Sequence, residues 1–503
     1  MFLLLLTSLV LSYAFYQYLI ARRLPSGPIP ILLLGNLPHL FWYCRKLGNF
    51  ALAMREMQKR FGDVHTLWIG PMPFVNICTY EKAKDLMVVQ GHTQLGRYMA
   101  PFATLAEIDD KGKIWGIVSS TGETWSEHRN FAINTLKQFG MGNNLMESRI
   151  MEEFNLRCDE LEKDRAGDRF STTAEEFTEL LIGNLISNLL FGFRFDNPER
   201  RQDFLKRKHQ MAANARHLSP IDFLVCPWWK YVPGLKSRWN AVMGMVNPAL
   251  DFVQENTENR IQAIGSGKYQ LEDEPVDFID AYLLEQRKRG KDLGEMTTHG
   301  LVIDLYDLWQ AGQSSTATTI QWGLYYFLQN PGKLKICQYE IRSLTNGNRD
   351  LLMADRTITP YFADACTEIQ RCASIANFNL WRRTTGPSHI DGYDIPVGTL
   401  TTAQLSLILS DPNVFSESDK FNPARYTGDH GKELAEKTIP FGIGKRSCPG
   451  EGFARAQIYL ILGNLLNRYQ LTQTEDNPPT GAEGTFAIFN HPSNFGIELE
   501  KFV

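Results

Sequence analysis

The sequence predicts a mainly α-helical protein with small β-sheets, and three stretches carry that prediction. Residues 145 to 300 repeat apolar side chains at helical spacing, including Glu175 to Phe191, with polar breaks at Asn197-Pro198 and Gly265-Ser266-Gly267. Leu301 to Gln329 reads as one helix, roughly 43 Å long at about 1.5 Å per residue, ended by Asn330-Pro331-Gly332. Val64 to Ile69 and Phe74 to Cys78, split by Gly70-Pro71, read as strands of a small sheet. The 503 residues show no internal repeat and no long low-complexity linker, which favours one large domain over several. Hydrophobic residues make up 43% of the chain, enough for a sizeable core, and a net charge of −4 gives no reason to expect a nucleic acid partner. Eight scattered cysteines contain no C-x-x-C pair and read as reduced thiols. No Asn is followed two positions later by Ser or Thr, so a glycosylated extracellular domain gains no support.

Residues 441 to 450, Phe-Gly-Ile-Gly-Lys-Arg-Ser-Cys-Pro-Gly, offer one cysteine in surroundings suited to a metal cofactor. Gly444 and Gly450 permit tight turns and close approach to a flat ligand, Arg446 supplies a cation, and Phe441 can cover the sulfur of Cys448. Glu451 to Leu462 then reads as a helix, and a thiolate at a helix N-terminus has a lowered pKa. Phe441, Gly444, Arg446, Cys448 and Gly450 match F-x-x-G-x-R-x-C-x-G, so the loop resembles the haem loop of the cytochrome P450 family. A free cysteine buried before a helix is the plain alternative, and the loop around Cys448 argues against it. The resemblance implies the cytochrome P450 fold, a haem cofactor and Cys448 as its axial iron ligand.

At the N-terminus, Phe2 to Ile20 carry no charge and approach the length that crosses a bilayer, about 20 residues. Arg22 and Arg23 follow, no Lys or Arg precedes, and no small-residue cleavage site stands out. The expectation is a retained transmembrane helix over residues 1–21, with the rest of the chain on the cytosolic face of the endoplasmic reticulum membrane. Residues 22–36 contain Leu-Pro-Ser-Gly-Pro-Ile-Pro and read as a stiff proline-rich hinge, similar to the segment after the anchor in microsomal members of the family. Residues 37–503 then form the expected haem-thiolate catalytic domain.

Asn49 to Phe61 reads as a helix, and Arg97 to Ser120 loses periodicity and reads as a long loop. In the family this segment lies over the haem, which makes Ile114, Trp115 and Ile117 candidates for touching substrate; packing of the loop explains them equally well. The next helix opens at Gly122 and sets Trp125 and Arg129 four apart on one face. This matches the family's W-x-x-x-R, whose side chains bind a haem propionate, whereas His128 reads as a surface residue rather than an iron ligand. Ile221 to Trp229 is an aromatic, irregular stretch that suits membrane contact, a substrate entrance or a buried connector.

At the middle of the long helix, Ala311-Gly312-Gln313-Ser314-Ser315-Thr316 combines small residues with hydroxyls able to compete for backbone hydrogen bonds and open a turn. It resembles the family's A-G-x-[acid]-T-T stretch, which implies Ala311 and Gly312 against the haem and Ser315 and Thr316 guiding protons. Ser314 stands where the acid is usual, so no carboxylate accompanies them. Glu368 and Arg371 match the family's E-x-x-R, with Arg425 as the third member of a buried ionic cluster. Ile375 to Leu380 is expected near substrate, Arg382 as a second propionate contact with Arg383 as its competitor, and Ile488 and Phe489 as late substrate contacts. Gly392 to Thr399 reads as a hairpin and Phe486 to Leu499 as a strand pair.

The resemblance thus covers almost the whole chain and implies a monooxygenase that inserts one oxygen atom of O2 into a small lipophilic substrate, such as a fatty acid, steroid or foreign compound. No flavin or nicotinamide fingerprint is present, so electrons are expected from a membrane-bound NADPH-dependent flavoprotein reductase. A haem-thiolate isomerase or peroxygenase, and a non-catalytic haem protein that binds a ligand, are the alternatives.

Overall fold

Helical periodicity in the sequence becomes helix over most of the chain, and the sheets are short. The computed structural model describes residues 2–98, 104–139, 144–165, 169–216, 227–483 and 489–502. They gather into two compact units, one of residues 1–98, 367–448 and 481–491, the other of residues 99–366, 449–480 and 492–503.

The first unit is organised by a five-stranded sheet in the order Val64–Ile69, Met72–Ile77, Leu400–Ala403, Arg382–Arg383, Gly96–Arg97. Only the Met72–Ile77 and Leu400–Ala403 pairing is parallel among the pairs of this sheet. Its apolar side chains Val64, Val75, Ile77 and Ala403 pack with Leu86, Met87, Leu405 and Ile408 in one buried cluster, which also takes in Leu24 of the proline-rich segment. That segment is strapped to the sheet: Thr66 N–H donates to the Ser26 carbonyl at 2.9 Å, and the Asn36 amide accepts from Trp68 N–H at 2.8 Å while donating to the Pro28 carbonyl at 3.1 Å. Asn49 caps the helix Phe50–Phe61 by accepting from Leu52 N–H at 2.8 Å.

The second unit is built on three long helices, Ala174–Phe191, Thr298–Gln329 and Glu451–Arg468. The 298–329 helix packs against the other two and against Lys236–Gly265. Every residue from Ala456 to Asn467 is buried, which explains why an amphipathic stripe is hard to see there: a helix covered on all sides is apolar all round. Thr297 caps the 298–329 helix by accepting from Gly300 N–H at 3.0 Å. A three-stranded antiparallel sheet, in the order Arg169–Thr173, Gly496–Lys501, Tyr469–Gln473, completes this unit.

Several sequence expectations shift. The helix Leu37–Leu47, with Pro38 in its first turn, has no counterpart among the elements expected from sequence. The expected hairpin moves towards the N-terminus: Ser388–Ile390 pairs with Tyr393–Ile395 around Asp391-Gly392, both at positive φ, and Leu400–Ala403 joins the main sheet instead. At the C-terminal end Gly496–Lys501 is a strand, its partners coming from earlier in the chain. Ile221 to Cys226, from the aromatic stretch, and Ile488 lie outside the described residues, while of the two tryptophans that end the stretch Trp228 is exposed and Trp229 buried. Phe2–Ala21 is a helix, and among the described residues no helix is long and apolar enough to cross a membrane.

Candidate functional site

In the first unit the 441–448 loop closes on itself. Cys448 N–H donates to the Phe441 carbonyl at 3.0 Å and Ser447 N–H to the Gly444 carbonyl at 2.9 Å. Gly444 is required twice over: its φ is +80°, and a Cβ there would lie 2.0 Å from the Met87 carbonyl oxygen. Arg446 is buried and anchors the loop, donating from Nε and a terminal nitrogen to the Leu95 carbonyl at 3.0 and 2.7 Å. Arg382, also buried, donates to the Ile443 carbonyl at 2.5 Å, whereas Arg383 is exposed beside the Tyr98 ring. Of the two competing arginines, Arg382 therefore belongs to the cysteine loop. Its sulfur is set apart from the others: among the described cysteines only Cys448 is exposed, while burial pushes the thiols of Cys44, Cys158 and Cys366 up to about 12.

The same unit holds the ionic cluster. Glu368 accepts from Arg371 Nε at 2.8 Å, from Arg425 Nε at 2.9 Å and from Asn422 N–H at 2.9 Å. All three charged side chains are almost fully buried, and Arg371 also donates to the Leu409 carbonyl at 2.8 Å, so each charge has partners. Ile375 is half-buried and its carbonyl accepts from Asn490 N–H at 2.8 Å, which sets Phe489, half-exposed, beside the 375–376 backbone.

In the second unit the 298–329 helix is mostly buried but opens in its middle. Ala311 and Ser314 are exposed and Gly312 and Ser315 half-buried, between flanks that are largely covered. The hydroxyls do not open the turn. Ser315 donates to the Ala311 carbonyl at 2.6 Å and Thr319 to the Ser315 carbonyl at 2.9 Å, both four residues back, and the helix runs through unbroken. Thr316 points into the unit and is buried.

Trp125 and Arg129 lie on the helix Gly122–Gln138, with the guanidinium carbon 5.8 Å from the indole centroid, so their shared face is real. His128 corrects the sequence expectation. It is fully buried, its Nδ1 lies 2.6 Å from an Asp304 carboxyl oxygen and its Nε2 3.0 Å from the Glu295 carbonyl. Burial opposes charge on this ring, but hydrogen bonding and charge from Asp304 outweigh it and raise the His128 pKa above the ordinary range. The partner of His128 lies 176 residues further along the chain, so local spacing gives no signal for it.

The 104–120 segment is irregular, as expected, and its candidates separate. Trp115 and Ile117 are buried; Trp115 donates to Asp109 at 2.9 Å and its ring meets the His128 and His299 rings, which is packing. Ile114 is half-buried. Sequence reasoning missed the residue that holds this loop. Asp307, buried on the 298–329 helix, accepts from Ile117 N–H at 2.7 Å and Val118 N–H at 2.8 Å. Burial first, and then the neighbouring Asp304, push its pKa up to about 7 against the pull of those two N–H groups.

The residues of the first unit fit a haem on the chemistry of their donors: an exposed thiol in a closed loop for a soft metal, and for carboxylates the buried Arg446 of that loop and the buried Arg382 bonded to it. Taken by itself, the long helix of the second unit has an open face of small side chains suited to a flat ring.

Comparison with known proteins agrees. The cytochrome P450 family model matches residues 25–499. The chain is 34% identical over 462 residues to the probable cytochrome P450 cyp-35D1 of Caenorhabditis elegans, covering 91% of this chain and 90% of the relative. It is 30% identical to cytochrome P450 2C11 of Rattus norvegicus over 497 residues, 97% and 94% of the two chains, and 30% identical to cytochrome P450 2B2 of the same species over 454 residues, 89% and 88%. Proteins of this kind bind haem through a cysteine thiolate and act as monooxygenases. The chain belongs to the cytochrome P450 family.

Proposed function

We propose that Cys448 is the haem ligand and that the protein inserts one oxygen atom of O2 into a small lipophilic substrate with electrons from an NADPH-dependent flavoprotein reductase. The observation that supports this most is the exposure of Cys448 alone among the described cysteines, on a loop closed by its own N–H. Haem bound through a thiolate supplies oxygen activation and transfer to unreactive C–H bonds. The chain's own residues supply the rest. Phe441 shields the sulfur, Arg446 and Arg382 stiffen the loop and offer cations to carboxylates, and Trp125 with Arg129 binds a second carboxylate. Ala311 and Gly312 leave room for the flat ring. Ser315 holds a proton on the Ala311 carbonyl, where it can be passed on, and Ser314 and Thr316 flank it. Glu368, Arg371 and Arg425 hold the backbone around residues 409–425.

Ile114, Ile375 and Phe489 remain the substrate contacts we favour, with Ile488 from sequence alone; their aliphatic and aromatic character suits a fatty acid, steroid or foreign compound. Residues 1–21 anchor the protein in the endoplasmic reticulum membrane with residues 37–503 facing the cytosol, on the strength of the uncharged run Phe2 to Ile20 followed by Arg22 and Arg23. Reconstitution with reductase, NADPH and a panel of lipophilic compounds tests the reading: substrate-dependent hydroxylated product is expected. The absence of a carboxylate at Ser314 favours a second reading, peroxide-driven oxygen transfer, and product formed with peroxide but never with reductase establishes it instead.

A further inference from the structure

The helix Gly122–Gln138 turns Trp125 and Arg129 to one side and buries His128 on another. A carbonyl oxygen can only accept, so the 3.0 Å contact from His128 Nε2 to the Glu295 carbonyl requires a hydrogen on Nε2. The 2.6 Å contact between Nδ1 and Asp304 must then hold one more proton, either on the ring or on the carboxyl. Both side chains have zero exposure, and the other carboxyl oxygen of Asp304 has no hydrogen-bond partner among the described residues.

The surrounding charges are committed elsewhere. The Glu295 carboxylate takes Lys113 at 2.5 Å and the Thr124 hydroxyl at 2.7 Å. Glu127 pairs with Arg289, the Tyr282 hydroxyl donates to the Thr297 carbonyl at 3.0 Å, and Asp307 accepts from the 117 and 118 backbone. The rings of Trp115 and Tyr282 lie against the imidazole and lend it no charge. His128 and Asp304 therefore share one proton between them, and the pair joins the 122–138 and 298–329 helices.

We propose that this pair is a positioning element: by fixing the rotation of the 122–138 helix against the 298–329 helix, it sets the direction in which Trp125 and Arg129 point. A helix held only by apolar packing can turn a few degrees at little cost, but turning this one separates two buried polar groups that have no water to replace each other. The inference rests on the proposed role of Trp125 and Arg129 as the binders of a haem carboxylate, and His128 itself touches neither haem nor substrate.

The test is the rate of haem loss from the full-length holoprotein to a scavenging globin, with the propionate bending bands in resonance Raman as a second readout. Arg129→Ala calibrates the clamp. His128→Leu is expected to speed haem loss about tenfold or more, in the range seen when partners behind a ligand are removed, and to shift the propionate bands. In the Arg129→Ala background it is expected to add little, because both changes act through the same contact. If His128→Leu leaves haem loss and the bands unchanged, or multiplies haem loss by the same factor with and without Arg129, the pair only stabilises the fold and the inference fails. If Arg129→Ala itself changes nothing, the carboxylate-clamp reading fails and the inference with it. Should His128→Leu not fold, His128→Asn, which keeps a donor but cannot hold a second proton, runs through the same comparison.

Discussion

Asp307 shows how much one buried side chain can organise. Its carboxyl oxygen satisfies two backbone N–H groups at 117 and 118, and Gly116, at φ +87°, is obliged to be glycine because a Cβ would sit 2.5 Å from that oxygen. The folded protein holds the Asp307 proton until about pH 7, whereas an unfolded chain releases it near pH 4, so ionisation of this group works against folding as pH rises across that interval. Asp307→Asn keeps an oxygen for both N–H groups and removes the titration. Its melting temperature relative to the wild type is expected to climb between about pH 4 and pH 8; a difference that stays flat with pH contradicts this assignment. Glu368 is the opposite case, a charge that cannot be spared. Glu368→Ala leaves two buried guanidinium groups without their carboxylate, a loss of about 3–5 kcal/mol, and is expected to yield no haem-loaded protein. A normal haem-to-protein ratio in that variant overturns the expectation.

At the level of elements, the 298–329 helix is the one that the sequence states most clearly: Leu301 to Gln329 reads as helix up to Asn330-Pro331, Asp304 and Asp307 argue against a membrane span, and the structure adds one turn at the start. The hairpin after residue 388 was harder to place, since Gly392 and Gly398 both have positive φ and only pairing to the main sheet decides which of them turns the chain back. His128 and Asp307 were not legible at all. Their partners lie far off in sequence, and nothing in the local pattern names the group that each one meets. The cysteine loop was legible because its chemistry and its glycine geometry occupy ten consecutive residues. For the helix itself, the hydroxyl of Ser315 is tied to the Ala311 carbonyl and Ser314 is exposed without an acid beside it. Ser314→Glu is therefore expected to raise product formed per NADPH oxidised in the reconstituted system; an unchanged ratio removes position 314 from proton supply.

For the whole molecule, the residues proposed for haem are spread along the sequence from Trp125 to Cys448, so no single stretch of chain contains the chemistry. The N-terminal helix adds a separate question. Deleting residues 1–21 is expected to make the protein extractable from membranes by alkaline carbonate, and retention of full carbonate resistance contradicts the anchor. The proposed function depends on sulfur bound to iron, and the spectrum of the carbon monoxide adduct reads that bond. The reduced holoprotein with carbon monoxide is expected to show the strongly red-shifted Soret band of thiolate ligation, and Cys448→His is expected to lose it while still binding haem. A wild-type carbon monoxide adduct without that band, or one that keeps it when Cys448 is replaced, contradicts the account.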